Sequence, residues 1–538
     1  MENNHTFDVI VIGAGPAGLA TAIQLKKKLN QAKKEASVVV LEKAENIGEH
    51  NLSGALLETN CLEKLVSEWN LGEEPFISEV KNAAVKAESF YFLTSSHRFR
   101  IPNFFRLPDM RHKGSSVISI NKLVKWLGEV AEKCGVEIYH ASSVVDIQTD
   151  GKTVQGVLIQ DIEGKKAAGE SVPTSVLEAK AVVFADGAKG YLSQKLINTF
   201  EMDKGQNPQV YSVALKKILR LPSHSKFPRG SVIHTIGFPH KKDVFGGGFI
   251  YDLGNNCVSI GLVSGLDWPY RDLNPQQELE RYMAHPFINK LTEGAEVISA
   301  GAKLIPEGGY YSLPQLWVNG AVIAGDAAGF VNLRKMKGIH LAIYSGIATG
   351  NTVFNAVIKD DFSAEQLSQY KQELIKLKVL KEMKTARNMR QAFSTKAGLF
   401  WGAPFSLVQH FWPFKLKTRP DHLSLSQRDI LRKTFFKAAA NKEFSYYAGV
   451  KHKEPHQPHI SIKDHSLCRK CQGEYNCPCL HFCPGVVYSL NQEPESSEKE
   501  IISVSATDCL HDGSCVAKCP YRNIDWQVPS KQGPRYFI

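Results

Sequence analysis

FDVIVIGAGPAGLATAIQL, from Phe7 to Leu25, decides the fold. Its first half is a continuous apolar run, the composition of a strand buried on both faces of a parallel sheet. The run ends on Gly13-Ala14-Gly15-Pro16-Ala17-Gly18, which has the G-x-G-x-x-G spacing. There the first glycine permits a tight turn, the second lets backbone approach a pyrophosphate, and the third lets a helix lie close on the strand. The helix that follows would aim its free N–H groups and its dipole at the phosphates. A second apolar run, ASVVVLEK, completes a βαβ unit and ends beside Glu42, a carboxylate placed for a ribose 2′-hydroxyl. The reading is a dinucleotide site built on Gly13, Gly15, Ala17, Gly18 and Glu42.

Two later strand ends, VVFADG with Asp186 and Gly187 and AGDAAGF with Gly325 and Asp326, select the dinucleotide. They resemble the second and third FAD fingerprints of the glutathione-reductase-like flavoproteins. In that class the aspartate at the position of Asp326 holds the ribityl chain. No second G-x-G-x-x-G offers a nicotinamide site, so FAD is expected and NAD(P)H is not the expected reductant.

At 538 residues the chain exceeds what one hydrophobic core usually serves. Between about 207 and 300 lie short apolar runs such as GGGFIYDL and NCVSIGLVSGL, which predict a separate β-sheet domain. From about 362 to 440 the pattern is helical and basic, with the run from Lys371 to Arg390 reading as a solvated helix face. A formal net charge of +11 favours an acidic partner or an anionic membrane surface. No nucleic-acid motif accompanies it, so nucleic acid is not an expected partner. No segment is expected to span a bilayer. Ala397 to Phe414 is aromatic but broken by Pro404 and Pro413, and with the loop Asn103 to Met110 it is a candidate for dipping into lipid. Lys415, Lys417 and Arg419 follow at once, the combination of apolar and basic residues that a membrane surface attracts. The alternative is a buried aromatic helix. The N-terminus enters a strand directly, so neither a signal peptide nor an Arg- and Ser-rich presequence is expected.

Eight of the 11 cysteines lie between Cys468 and Cys519, and with no secretory signal expected, clustered thiols predict metal binding. Cys468-x2-Cys471, then Cys479-x3-Cys483-Pro484, imitates one run of a two-cluster ferredoxin, with an insertion that also carries Cys477. Cys509-x2-Asp512-x2-Cys515-x3-Cys519-Pro520 imitates the other, with aspartate at the second ligand. In such ferredoxins the fourth cysteine of each run serves the other run's cluster. That exchange would group Cys468, Cys471, Cys479 and Cys519, leaving Cys483, Cys509, Cys515 and Asp512 together. Spacing leaves Cys477 and Cys479 interchangeable. It also leaves three contents open: two clusters, one 4Fe–4S cluster completed by an extra thiol, or zinc.

EKAENIGEHNLSGALL, FGGGFIYDLGNN, SIGLVSGLDW, GAKLIPEGGYYSLPQL, GDAAGFVNLRKMKGIHLAIYSG, FCPGVVY and NIDWQVP carry a further resemblance, nearly end to end. The chain is similar to the electron-transfer flavoprotein:ubiquinone oxidoreductases. The resemblance implies a Rossmann-like α/β FAD domain (1–75, 111–206, 301–440) interwoven with a quinone-binding β domain (76–110, 207–300). A ferredoxin-like α+β iron–sulfur domain (456–538) would follow. It implies FAD and 4Fe–4S as cofactors, ubiquinone as substrate, electron-transfer flavoprotein or a ferredoxin-like protein as donor, and a peripheral, monotopic seat on the cytoplasmic face of a bacterial inner membrane. It places the quinone at Gly246 and Gly247, where bare backbone would let a flat ring lie close between Phe245 and Phe249; the alternative is that the glycines serve a bulge or tight bend in a strand. Cys483, Cys509, Asp512 and Cys515 occupy the positions of the family's cluster ligands, so the departure falls on the third. The rival is a geranylgeranyl-reductase-like or hydroxylase-like flavoenzyme with a ferredoxin input domain.

Overall fold

The computed structural model describes residues 5–67, 74–106, 108–160, 174–225, 227–395, 397–409, 412–426, 442–450, 459–491, 501–528 and 533–536. Strand His5–Ile12 lies inside an eight-stranded sheet, parallel to Val38–Leu41 on one side and Thr174–Phe184 on the other. The apolar run splits by alternation, as a strand's two-residue period requires. Val9, Val11, Val38 and Val40 enter one core, against helices Pro16–Gln31, Ile120–Lys133 and Ile339–Lys359. Ile10, Ile12, Val39 and Leu41 enter the opposite core, against helix Tyr191–Thr199 and the Tyr370 and Leu374 side chains. The sheet is therefore covered on both faces, as its continuous hydrophobicity predicts.

Ala87–Leu93, Tyr211–Arg220, Ser231–Gly237, Gly246–Gly254, Cys257–Gly265 and Glu296–Pro306 build a second sheet, with short Arg98–Arg100 at one edge. Its central pairings are antiparallel, and Ala87–Leu93 joins in parallel to Ser231–Gly237. The last strand runs to Pro306, past the boundary expected at 300.

The C-terminal segment consists of two small antiparallel ribbons, Ile460–Ile462 with Ile524–Trp526 and Tyr488–Leu490 with Ile502–Val504. Helix His465–Tyr475 and short helices Cys479–Phe482 and Ser514–Lys518 complete it. It shares one apolar core with the seven-stranded sheet. Buried hydrogen bonds sew the two together: Lys518 Nζ donates to the Trp268 carbonyl at 2.7 Å and Gln276 Nε2 to the Pro484 carbonyl at 2.6 Å. Near the C-terminus Tyr536 reaches back to the first domain, its N–H donating to Glu49 O at 2.8 Å.

Only Ile339–Lys359, among the described residues, is a helix long and apolar enough to cross a bilayer, and 72% of that window is buried. It is a core helix packed on Pro16–Gln31. The basic run from Lys371 to Arg390 is not one solvated face. It breaks into helices Gln369–Lys376, Val379–Thr385 and Met389–Phe393, and Arg390 is fully buried. Its guanidinium pairs with Glu307 at 3.1 Å and with Asp267, which offsets the cost of burying the charge.

Candidate functional site

The glycine loop has the geometry its spacing predicts. Gly13 adopts a left-handed φ of 97°, and a Cβ there would stand 2.7 Å from the Ala185 carbonyl oxygen. A Cβ on Gly18 would collide with the Gly13 carbonyl, so helix and strand need a bare backbone to meet. Gly15 has nothing within 4 Å of the same point and faces open space. That space is a cavity of about 890 Å³, walled here by Gly13, Gly15, Ala17, Glu42, Asp186, Gly187 and Asp326. Gly18 packs behind it. Gly325 belongs to the turn that carries Asp326, its N–H donating to Ser345 Oγ at 3.0 Å.

The carboxylates differ in what they already hold. Glu42 accepts from the Ala14 and Ala44 N–H groups at 2.8 and 2.9 Å, tying the second strand's end to the glycine loop. Asp186 accepts from Leu192 and Ser193 N–H groups at 3.0 Å through Oδ2, capping the next helix, while buried Oδ1 has no partner. Burial pushes Asp326 up to about 6. An orphaned buried oxygen, a glycine open to space and a helix N-terminus at one wall are what a dinucleotide would complete. The residues fit FAD.

The cavity continues across the seven-stranded sheet, where Gly246, Gly247 and Gly248 line it between Phe245 and Phe249. The sheet's own packing demands these glycines. A Cβ on Gly246 would collide with the Val263 carbonyl, and one on Gly247 with the Thr235 carbonyl. The bare positions let neighbouring strands close up, and the resulting smooth wall is a consequence.

Side chains that sequence reasoning missed complete this part. Lys216 Nζ donates to the Ser53 and Gly54 carbonyls at 2.9 and 2.8 Å and lies 5.5 Å from the Phe249 ring centre. Burial pushes it down to about 7. His234 shares a 2.8 Å hydrogen bond with the Tyr251 hydroxyl, and burial lowers it to about 3, so it is neutral. The one available signal was Lys216-Lys217 inside an otherwise apolar strand. Adjacent residues face opposite sides, and Lys217 meets Glu280 and Glu443 at 2.8 Å on the other side.

At its far end the cavity is walled by Leu399, Ala403, Pro404 and Leu407 of helix Leu399–Val408. The expected alternative of a wholly buried aromatic helix does not hold, since Phe400 is 69% exposed and Trp401 53%. Phe414 beyond it is 66% exposed, and Phe104 in the Asn103 loop 76%. Within that loop Arg106 is buried and paired with Glu88 at 3.2 Å, while Leu107 lies outside the described residues.

The cysteines fall into two groups. Cys468, Cys471, Cys477, Cys479 and Cys519 line one small pocket of their own. Cys483, Cys509, Cys515 and Asp512 form the other group, each thiol raised by burial and then by its neighbours in that group. Cys483 thus lies with Cys509 and Cys515, and Cys519 lines the pocket of the other group. Asp512, together with His511, also lines the large cavity, so the inner group abuts the flavin wall. One Asp512 oxygen is engaged by Ser514 N–H at 3.0 Å and by the Ser514 hydroxyl. His459 and His511 bring ring nitrogens within 4.8 Å of the Cys509 sulfur, donors that spacing did not reveal. Three thiols, a carboxylate and two imidazoles in one buried place are a donor set for iron or another thiolate-binding metal.

Comparison with known proteins agrees with this geometry. Residues 6–250 match the FAD binding domain family, 211–305 the family described as ETF-QO, ubiquinone-binding, and 436–537 the family described as Electron transfer flavoprotein-ubiquinone oxidoreductase, 4Fe-4S. The mitochondrial electron transfer flavoprotein-ubiquinone oxidoreductase of Dictyostelium discoideum is 34% identical over 564 residues, covering 99% of this chain and 91% of that protein. The chain belongs to this family. The human relative is 30% identical over 557 residues, covering 98% of this chain and 88% of its own length. Among solved structures, a geranylgeranyl bacteriochlorophyll reductase-like protein from Thermoplasma acidophilum superposes with a TM-score of 0.52 at 16% identity. It covers 76% of this chain and 98% of its own. A variant of a flavin-dependent brominase gives 0.52 at 18%, covering 76% and 93%. Those likenesses concern the fold alone.

Proposed function

We propose that this protein takes electrons from reduced electron transfer flavoprotein and delivers them in pairs to ubiquinone, seated as a monotopic protein on the cytoplasmic face of a bacterial inner membrane. One observation supports the reading above the others. The glycine loop, the Gly246–Gly248 strand, the exposed aromatic helix and Asp512 all wall a single cavity. Bound there, FAD supplies exchange of one electron or two, and an iron–sulfur centre supplies one-electron carriage. The chain's own residues do the rest. Gly13, Gly15 and the first turn of Pro16–Gln31 hold the pyrophosphate, Glu42 orders the loop, and Asp326 meets the ribityl chain. Cys483, Cys509, Cys515 and Asp512 hold the metal centre.

Phe245, Phe249 and the Gly246–Gly247 backbone form an apolar slot for a quinone ring, entered past Leu399, Ala403 and Leu407 from the lipid side. Quinone reduction consumes two protons. Lys216, beside Phe249 and titrating near neutrality, holds one that it can give up at the cavity wall. Phe400, Trp401 and Phe414 enter the lipid, and exposed Lys415, Lys417 and Arg419 meet its headgroups.

The test uses detergent-solubilised holoprotein, reduced electron transfer flavoprotein and a short-chain quinone, followed at the flavin bands. Bleaching by the donor and recovery on quinone addition are expected. A flavin that NADPH reduces and electron transfer flavoprotein does not would refute the reading. In a companion measurement on anionic vesicles, the double variant Phe400→Ser/Trp401→Ser should lose at least about tenfold in binding, since each large side chain contributes about 1.5–3 kcal/mol when buried. Equal vesicle binding by both proteins would remove the membrane seat.

A further inference from the structure

The family's cluster positions account for Cys483, Cys509 and Cys515 and leave five cysteines unexplained. Those five share one pocket. Cys468 and Cys471 lie one turn apart on helix His465–Tyr475. The chain reverses through Asn476 and Cys477, both left-handed at φ 55° and 45°, and brings Cys479 back over them. Cys519 arrives from the end of helix Ser514–Lys518. None of the five is in a disulfide.

We propose that Cys468, Cys471, Cys519 and either Cys479 or Cys477 hold a second iron–sulfur cluster of the 4Fe–4S class, between the surface and the inner centre. Four observations carry it. The thiols line one pocket together with apolar side chains, among them Ile462, Leu467, Phe482 and Ile524, where uncompensated thiolates are costly and a shared cation relieves them. Asn523 donates its backbone N–H to Cys519 Sγ at 3.4 Å and its side-chain amide to Cys468 Sγ at 3.3 Å, bonds that stabilise ligating sulfur. Each cysteine run lends its last member to the other group, Cys483 inward and Cys519 outward, as in two-cluster carriers. A separate zinc site would need no such exchange. Finally, the outer pocket lies under the exposed Arg469–Lys470 turn, whereas the inner group touches the flavin cavity. Held by these cysteines, such a cluster would supply one-electron carriage between an external one-electron donor and the inner centre, with no bond made or broken.

The inference rests on the tail being an electron carrier, and its test is independent of quinone turnover. Full-length protein purified without oxygen is assayed for iron, acid-labile sulfide and zinc, and its dithionite-reduced form is examined by EPR. About seven or eight irons per chain are expected, depending on whether Asp512 retains the fourth iron of the inner centre, together with a spectrum split by two interacting spins. The double variant Cys468→Ser/Cys471→Ser should lose about four irons and the splitting while keeping its flavin absorbance. About four irons or fewer in the parent protein, or one zinc per chain, overturns the proposal, as does a double variant with undiminished iron. Should the variant not fold, the parent's iron count and spectrum decide. Quinone reduction can fail while the iron count stands, so the two readings fall separately.

Discussion

Two glycine-rich stretches wall the same cavity for opposite reasons. In Gly13 to Gly18, one glycine faces emptiness and two are squeezed: Gly15 has no neighbour where its Cβ would be, while Gly13 and Gly18 press on backbone. In Gly246 to Gly248 all three are squeezed, against the Val263 carbonyl, the Thr235 carbonyl and the Tyr282 ring. The first stretch keeps room for a ligand. The second keeps room for its own sheet, and its flat face toward the cavity follows from that packing. A glycine in a binding wall is thus evidence for a ligand only when the missing side chain points into space.

The strongest break of this comparison sets Gly18→Val against Gly15→Ala. At Gly18 the added atoms run into the Gly13 carbonyl, and the overpacking cost exceeds about 3 kcal/mol, enough to leave little folded, flavin-bearing protein. At Gly15 the φ of −84° suits any residue, so the Tm of flavin-free protein should hold while FAD affinity falls by about tenfold or more, a loss of about 1.4 kcal/mol. Thermal melts and flavin titration read both. Equal losses of fold in the two variants would erase the distinction.

Next in size is a pair in the quinone wall. Gly247→Ala should cost about 1–3 kcal/mol by forcing its strand off Thr235, and it would lower quinone turnover only as part of that damage. Ala403→Phe instead narrows the cavity mouth from the helix side and touches no strand pairing. It should raise the KM for quinone several-fold with the melting curve and flavin content unchanged. If Ala403→Phe leaves quinone kinetics alone while Gly247→Ala abolishes them without loss of stability, the slot lies nearer the strand and the packing account of Gly247 fails.

Much of this was legible beforehand because the signals were local. A strand, a turn and a helix within 25 residues announce the flavin site, and the Cys-x2-Cys and x3-Cys-Pro spacings announce a metal-binding tail. Lys216, His234 and Tyr251 were not legible, because the sheet that assembles them draws strands from residues 87 to 306, and neither order nor register is written in any one segment. Arg390 was misread for a related reason. A basic run is solvated by default, and only the distant Asp267 and Glu307 make its burial affordable. The histidines beside Cys509 belong with these, since His459 lies 50 residues away in sequence from Cys509 and meets it only when the ribbons Ile460–Ile462 and Ile524–Trp526 pair.

The smallest effect sharpens the comparison by isolating backbone from contact. Gly254 ends the strand that Gly246 begins, and it too is glycine, yet nothing lies within 4 Å of its absent Cβ. Its φ of 78° is the only demand, set by the turn through Asn255 and Asn256 that leads into Cys257–Gly265. Gly254→Ala should therefore cost about 1–2 kcal/mol, the left-handed penalty alone. Gly254→Asn should recover part of that, because asparagine tolerates this region and alanine does not. Flavin content and quinone kinetics should match the parent in both, with the order of Tm values parent, asparagine, alanine. Were alanine and asparagine equally harmful, the turn would be restricted by an unrecognised contact, and the separation of conformational from steric glycines along this one strand would not stand.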